Sequence, residues 1–126
     1  IDRNDTGTIT WRVRGDSSAN AQVTTSALSS GVWYHALGTY KGSSTTTKLY
    51  LDGVLIGTST TDPGTIAWSS GVDDDFRIGY SSTTAGSSGN MKYFDGNIAI
   101  VRVYQRTLTH SEVLFNYSAD TMRFGK

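Results

Sequence analysis

The chain has 126 residues and no cysteine, and its 11 basic and 11 acidic residues leave a formal net charge of zero. A domain of this length buries a core without disulfides, and the lack of cysteine excludes a thiolate metal site and fits folding in a reducing cytoplasm. The balanced charge argues against nucleic acid as a partner. No apolar run reaches the roughly 18 residues of a membrane-spanning helix, so we expect no membrane insertion.

The polar residues indicate many turns and few helices. Serine and threonine make up 34 of the 126 residues, and ten of the 11 acidic residues are aspartate. Aspartate favours turns and helix caps, whereas glutamate favours helix interiors. Serine- and threonine-rich strands separated by glycine-containing turns are typical of an all-β protein with solvated sheet faces.

The first strand is predicted over Thr8–Arg14, and nothing before it has a strand pattern. Apolar and polar residues alternate there, which is typical of a half-buried strand. A weaker strand is expected at Gln22–Thr25. The segment Trp33–Tyr40 is apolar on both faces, which predicts a central strand with Trp33 in the core. The apolar face of the first strand is predicted to carry Ile9, Trp11 and Val13.

The middle of the chain contains the clearest local pattern, a β-hairpin over Lys48–Gly57. Asp52-Gly53 lies between two short apolar runs and supplies the positive φ angles of a type I′ turn. Asp62-Pro63-Gly64 predicts another turn. Two short strands are predicted next, at Thr65–Trp68 and Phe76–Tyr80. A loop of small residues is predicted at Ser81–Asn90.

The C-terminal third predicts one strand and one helix. Ile98–Tyr104 has apolar residues on both faces, so we expect a strand covered on both sides. Thr109 is the predicted N-cap, Glu112 its capping-box partner, and Leu108 with Val113 the hydrophobic staple. The apolar stripe expected to dock this helix on a sheet is Val113, Leu114 and Tyr117.

Three segments in this order resemble the laminin G-like, concanavalin A-like family: WYHALGTYKG at 33–42, KLYLDGVLIG at 48–57 and FDGNIAIVRVYQRTL at 94–108. The resemblance implies an all-β, antiparallel jelly-roll β-sandwich with one short C-terminal helix, formed by residues 1–126 as a single domain. The family usually has further strands before the one at Thr8. Because the pattern begins abruptly at Ile1, we expect the chain to be the C-terminal part of a longer polypeptide.

The ending FNYSADTMRFG is similar to the ending of such modules in tailed-phage structural proteins. This resemblance implies a capsid decoration or fibre module on the virion surface. Its partners would be other virion proteins and host-surface glycans, and it would act outside the cell, with a homo-oligomer as one arrangement. The alternative is a calcium-dependent, lectin-like adhesion module of a cellular extracellular protein. A fragment of a depolymerase is a third reading, which requires carboxylates outside these residues.

The chain is not expected to be an enzyme. Glycoside hydrolysis needs two carboxylates at a fixed spacing, yet Glu112 is the only glutamate and its capping role already explains it. His35 has the pattern of a core histidine and His110 that of an exposed residue at the start of a helix. Neither stands in a serine–histidine–aspartate arrangement.

Glycan binding and calcium binding remain as candidate chemistries. Trp68, Tyr80 and Tyr93 border loops of small residues, where exposed rings would stack on sugars, although partial burial at a sandwich edge is the alternative for each. The candidate calcium ligands are Asp73, Asp74 and Asp75, since calcium prefers several carboxylate oxygens on a loop. An ordinary solvated turn is the alternative, and Ala99, which stands where the family has aspartate, favours it.

Overall fold

A computed structural model describes residues 2–3, 7–66, 78–82 and 91–124, which form eight strands and one α-helix. The chain divides into a larger unit, residues 1–66 with 104–126, and a smaller unit, residues 67–103. None of the described helical residues form a span long and apolar enough to cross a membrane. The elements are β1 (Asp2–Arg3), β2 (Ile9–Val13), β3 (Ala21–Thr24), β4 (Ala36–Lys41), a 3₁₀ turn (Gly42–Ser44), β5 (Thr46–Leu51), β6 (Val54–Ser59), β7 (Tyr80–Ser82), β8 (Met91–Tyr93) and α1 (His110–Phe124).

Two three-stranded antiparallel sheets form the larger unit. Sheet A has the strand order β1-β2-β3, and sheet B has the order β4-β5-β6. The smaller unit contains the antiparallel pair β7-β8. These sheets and the C-terminal helix confirm the predicted all-β class with one helix, and the two sheets form the layers of a β-sandwich.

The predicted hairpin is formed by β5, the turn Asp52-Gly53 and β6. The φ angles of Asp52 and Gly53 are 51° and 79°, as a type I′ turn requires. The carboxylate Oδ1 of Asp52 accepts a hydrogen bond from the backbone N–H of His35 at 2.8 Å. The N–H of Asp52 donates to the carbonyl oxygen of His35 at 2.8 Å. The turn therefore also fixes the chain that enters β4.

The two sheets close on each other where Trp11 of β2 meets Gly38 of β4. The indole lies against this glycine, and its Nε1–H donates to the carbonyl oxygen of Thr39 at 3.1 Å. A Cβ atom at position 38 would overlap the indole ring. Val23 of β3 faces Gly57 of β6, where a Cβ atom would come within 2.9 Å of Val23 Cγ1. Two glycines thus allow the large side chains of sheet A to reach the backbone of sheet B.

Helix α1 begins with the predicted capping box. The N–H of Thr109 donates to Glu112 Oε2 at 2.8 Å, and the N–H of Glu112 donates to Thr109 Oγ1 at 3.3 Å. The predicted staple is also present, since Leu108 is buried, Val113 is fully buried, and both pack in one cluster with Tyr50. The partly buried Leu37 completes this cluster on the outer face of sheet B, the face turned away from sheet A.

The later turns of α1 cover the hairpin turn and His35. A Cβ atom on Gly53 would come within 3.0 Å of both Leu114 and Tyr117, which confirms the predicted apolar stripe. The imidazole of His35 lies 5.8 Å from the Tyr117 ring, centroid to centroid, and its Nε2 is 3.6 Å from Asp120 Oδ2. His35 is largely buried, in agreement with its predicted core position.

The strand predicted from Trp33 begins later in the structure. β4 starts at Ala36, and Trp33 lies in the preceding loop with 49% of its surface exposed. The prediction that Trp33 belongs to the core is therefore wrong. The carbonyl group of His35 still accepts from the backbone N–H of Asp52, but its own N–H donates to the Asp52 side chain instead of to a backbone carbonyl group. Among the described strands of sheet B, β5 rather than β4 is central.

The strand predicted over Ile98–Tyr104 is wrong as well. These residues form no regular structure, and Ile98, Val101 and Val103 are 47%, 48% and 75% exposed. Apolar alternation supplies a face to bury, but a strand also needs a neighbour that accepts its backbone hydrogen bonds. No described strand pairs with this segment.

Other strand ends differ from the prediction for local reasons. β1 pairs with β2 ahead of Thr8, where two residues are too few for a sequence pattern. Thr65 forms no strand because its backbone N–H and carbonyl group bind Asp16 instead. Ile78 and Gly79 lie in a bend, and β7 begins only at Tyr80. The remaining parts of the strands predicted near these residues, and the predicted loop beyond Ser82, lie outside the described residues.

The contact between Trp11 and Gly38 gives a direct stability prediction. Gly38→Ala should lower the free energy of unfolding by about 1–3 kcal/mol, because the added methyl group must displace a packed indole ring. Urea denaturation followed by tryptophan fluorescence measures the change. Gly42→Ala is the matched control, since its Cβ atom would make only an ordinary contact of 3.7 Å. An equal loss in both variants would show that the indole does not pack tightly on Gly38.

Candidate functional site

A groove lies on the outer face of sheet B, beside the start of α1. Because side chains alternate along a strand, Thr39 and Lys41 of β4 share this face with Thr46, Lys48 and Tyr50 of β5. The chain entering α1 forms the opposite wall. The outer groove, as we name it, has a volume of about 310 Å³ and is lined by Thr39, Lys41, Ser44, Thr46, Lys48, Tyr50, Thr107, Leu108, Thr109 and His110.

The wall of the outer groove is held to both the sheet and the helix. Thr107 Oγ1 donates to the carbonyl oxygen of Tyr40 at 2.9 Å, which ties the wall to the end of β4. Leu108 and Tyr50 are buried and form an apolar floor. The ring of His110 lies 5.8 Å from that of Tyr50, centroid to centroid, and its side chain remains exposed, as the sequence predicts.

The hydroxyl groups of the groove fall into two classes. Several already have protein partners: Ser44 Oγ and Thr46 Oγ1 lie 2.8 Å apart, and Thr109 Oγ1 donates to Glu112 Oε2 at 3.0 Å. Thr39 is different, because its hydroxyl has no hydrogen-bond partner among the described residues. A bound molecule would therefore meet Thr39 as an available donor and acceptor.

The cationic side chains of the groove are also available to a ligand. Within the described ranges, neither Lys41 nor Lys48 has a hydrogen-bond or ion-pair partner, and the His110 ring nitrogens have none. None of the described residues that line the groove carries a carboxylate. The groove thus combines hydrogen-bond donors, positive charge and a small apolar floor.

Glu112, the acidic residue in the first turn of α1, is already bound within the protein. Arg106 NH1 and NH2 donate to its two carboxylate oxygens at 2.9 and 2.7 Å. These hydrogen bonds, with those from Thr109, lower the pKa of Glu112 to about 2, and the same pair raises the pKa of Arg106. Glu112 therefore stays ionised at neutral pH, and its charge is compensated by Arg106 rather than by the groove lysines.

The geometry of the groove favours binding over catalysis. Hydrolysis of a glycosidic bond requires two carboxyl groups on either side of the bond, and the described residues that line the groove include none. A volume of about 310 Å³ is at the small end of the usual range for ligand sites. The groove therefore suits a small polar group or one unit of a polymer.

The aromatic residues predicted to bind glycans are described only in part. Trp68 lies outside the described residues, and of Tyr80 only the backbone is described. Tyr93 is 71% exposed, at the end of β8, and its backbone pairs with that of Tyr80. Both belong to the smaller unit, whereas the outer groove belongs to the larger one. Their binding role stays a prediction.

The predicted calcium ligands Asp73, Asp74 and Asp75 lie outside the described residues. In the part of the chain that the structure does describe, no group of three histidine, cysteine, aspartate or glutamate side chains is placed to hold a metal ion. Calcium binding therefore stays a hypothesis, and none of the groove chemistry depends on it.

The sequence interpretation missed the residues of the outer groove and one displayed ring. The alternation of Lys48 and Tyr50 in the predicted hairpin would have placed these two side chains on one face. What no local pattern gives is the position of residues 107–110 across from that face. Trp33, assigned to the core, is instead an exposed ring in the larger unit.

Comparison with known proteins agrees with this fold. A family model described as the concanavalin A-like lectin/glucanases superfamily matches residues 1–114. A crystal structure of residues 221–444 of an S-layer domain-containing protein from Clostridium thermocellum ATCC 27405 is similar, with 27% identity and a TM-score of 0.57. The match covers 88% of this chain and 52% of that one, so the chain spans about half the length of this neighbour. No curated protein matches the chain.

The Arg106–Glu112 pair predicts a pH dependence of stability. The folded pKa of Glu112, about 2, lies below the ordinary value of 4.5, so its contribution is complete above pH 4.5 and is lost as the pH falls toward 2. The urea midpoints of the wild type and Glu112→Gln should therefore differ at pH 7 and converge toward pH 2. Arg106→Gln should converge with the wild type in the same way. A gap that stays constant from pH 7 to pH 2 would contradict the ion pair.

Proposed function

We propose that this chain, which belongs to the concanavalin A-like lectin/glucanase superfamily, is a non-catalytic module that binds glycans in the outer groove. A lectin-like domain of this superfamily suggests a carbohydrate- or protein-binding module. The observation that carries the proposal is the set of groove side chains that have no partner among the described residues: Thr39, Lys41, Lys48 and His110.

These groups match the chemistry of a sugar. Each sugar hydroxyl both donates and accepts hydrogen bonds, and the groove offers amine donors, a hydroxyl and an imidazole. Leu108 lines the floor and is largely buried, so it supplies a small apolar surface for the C–H groups of a sugar ring. Lys41 and His110 are exposed and Lys48 is half-buried, so a ligand replaces water on these groups without breaking bonds inside the protein. A groove open to solvent also accepts one unit of a longer chain.

The setting that we propose is an exterior surface. The resemblance of the ending FNYSADTMRFG supports a capsid decoration or fibre module of a tailed-phage virion, with other virion proteins and host-surface glycans as partners.

A second candidate is an adhesion module of a cellular extracellular protein. The similarity to part of an S-layer domain-containing protein supports it, since that protein comes from a bacterium, Clostridium thermocellum. Both settings use the same activity, recognition of a glycan without cleavage. They differ in their partners. Pull-down of the chain by virion proteins would support the first setting, and pull-down by cell-wall fragments would support the second.

Calorimetric titration with a panel of oligosaccharides tests glycan binding in the groove. For a sugar that binds, Thr39→Val and His110→Ala should each weaken binding by about fivefold, the equivalent of one lost hydrogen bond of about 1 kcal/mol. Thr58→Val is the matched control, because Thr58 is an exposed threonine of β6 that does not line the groove. The bound sugar should be recovered intact, as a non-catalytic module requires.

Three results would contradict the proposal. Failure to bind any sugar would leave protein binding as the function of the module. Binding that is insensitive to the groove variants but lost in Tyr93→Ala or Trp33→Ala would place the glycan on an exposed ring instead. Shortened oligosaccharide products after incubation would show catalysis.

A further inference from the structure

The two lysines of the outer groove lie next to each other without a compensating charge. In the β4–β5 ladder Lys41 is opposite Thr46, and Thr39 is opposite Lys48. Lys41 and Lys48 are therefore diagonal neighbours on one face of the sheet, with backbones roughly 7–8 Å apart. Like charges at such positions repel each other. No described carboxylate pairs with either amine, so the repulsion is not relieved within the described part of the protein.

The charged groups beside the wall, Arg106 and Glu112, do not compensate the charge of the two lysines. Arg106 and Glu112 neutralise each other through two hydrogen bonds. The Glu112 carboxylate also accepts from the N–H of Thr109, so the first turn of α1 already has an anion of its own. The positive charge of the groove therefore comes from the lysine side chains and not from the helix N-terminus.

We propose that the outer groove selects an acidic sugar unit, one that carries a carboxylate or a phosphate group. The anion lies between Lys41 and Lys48, where it relieves their repulsion, and the sugar hydroxyls reach Thr39 and His110. This inference rests on the proposed function, because it names the chemical class of the glycan bound at the same site. An exposed lysine is a mobile point charge, so the site recognises negative charge more than the geometry of one anion.

Matched neutral and acidic sugars test this selectivity. Trigalacturonic acid should bind at least tenfold more tightly than its methyl ester, which has the same ring hydroxyls and no charge. Mannose 6-phosphate and mannose form the second pair, which tests a phosphate group in place of a carboxylate. Tighter binding of the charged sugar in either pair supports the inference. Raising the salt concentration should weaken binding of the acidic sugar and leave binding of the neutral one unchanged.

Variants of the lysines show whether the charge acts at this groove. Lys41→Gln and Lys48→Gln should each reduce the affinity for the acidic sugar about fivefold or more, and by a larger factor than the affinity for the neutral sugar, because glutamine keeps a hydrogen-bond donor and removes only the charge. Arg14→Gln is the control, an exposed cation outside the groove, and should have no effect. Equal urea midpoints of the variants and the wild type establish that all are folded.

The outcomes separate the two proposals. If the neutral and acidic sugars bind equally and the lysine variants are unaffected, the inference is wrong and glycan binding stands. If Arg14→Gln weakens acidic-sugar binding as much as the lysine variants do, the proposal that the groove lysines select the acidic sugar is also wrong. If no sugar of either charge binds, the proposed function itself fails.

Discussion

The packing of Leu108 and Val113 on Tyr50 and Leu37 is the interaction on which the outer groove depends. A 15-residue helix such as α1 is only marginally stable by itself in water, so its position is determined by this burial. Fully burying a leucine or valine side chain stabilises the fold by about 1.5–3 kcal/mol each. The same contact brings residues 107–110 alongside β4 and β5 and turns a flat sheet face into a groove.

The hairpin turn supports this arrangement from the other end of the helix. Gly53 allows Leu114 and Tyr117 to approach the turn, where a larger residue would collide with both. Asp52 binds the backbone of His35, and the His35 side chain lies beside Tyr117 and Asp120 of the helix. Sheet B and the hairpin turn therefore contact α1 from Val113 to Asp120, so the groove wall is held in place rather than left as a free loop.

The start of the helix also determines the charge of the groove. A capping glutamate facing open solvent would partly neutralise the neighbouring lysines. Here Arg106 binds both oxygens of Glu112, so the acidic charge is compensated locally. The carboxylate that caps the helix is therefore neutralised by Arg106 and does not offset the positive charge of the groove lysines.

The features that the sequence predicts correctly are those determined by a few adjacent residues. The Asp52-Gly53 turn, the capping box at Thr109 and the alternation around Trp11 all follow from local chemistry, and the structure confirms them. The errors at Trp33 and Ile98–Tyr104 share another cause. Apolar residues there have a strand pattern, but whether a strand forms depends on distant partners that a single sequence does not reveal.

The outer groove could not be predicted from the sequence for the same reason, because it is formed by residues that are distant in the chain. Lys48 and His110 are 62 positions apart in the chain, and only the docking of α1 brings them to one groove. The sequence instead predicts glycan binding at aromatic residues beside loops of small residues, which is a local pattern. Exposure of a ring such as Tyr93 is compatible with binding but does not by itself assemble a set of groups around one ligand.

The most direct test of glycan binding in the groove is amide NMR of the isotopically labelled chain during titration with trigalacturonic acid. The account predicts saturable shift changes concentrated at residues 39–48 and 107–110, with the amides of β7 and β8 unaffected. Shift changes confined to residues 78–82 and 91–97, with none at residues 39–48 or 107–110, would contradict it.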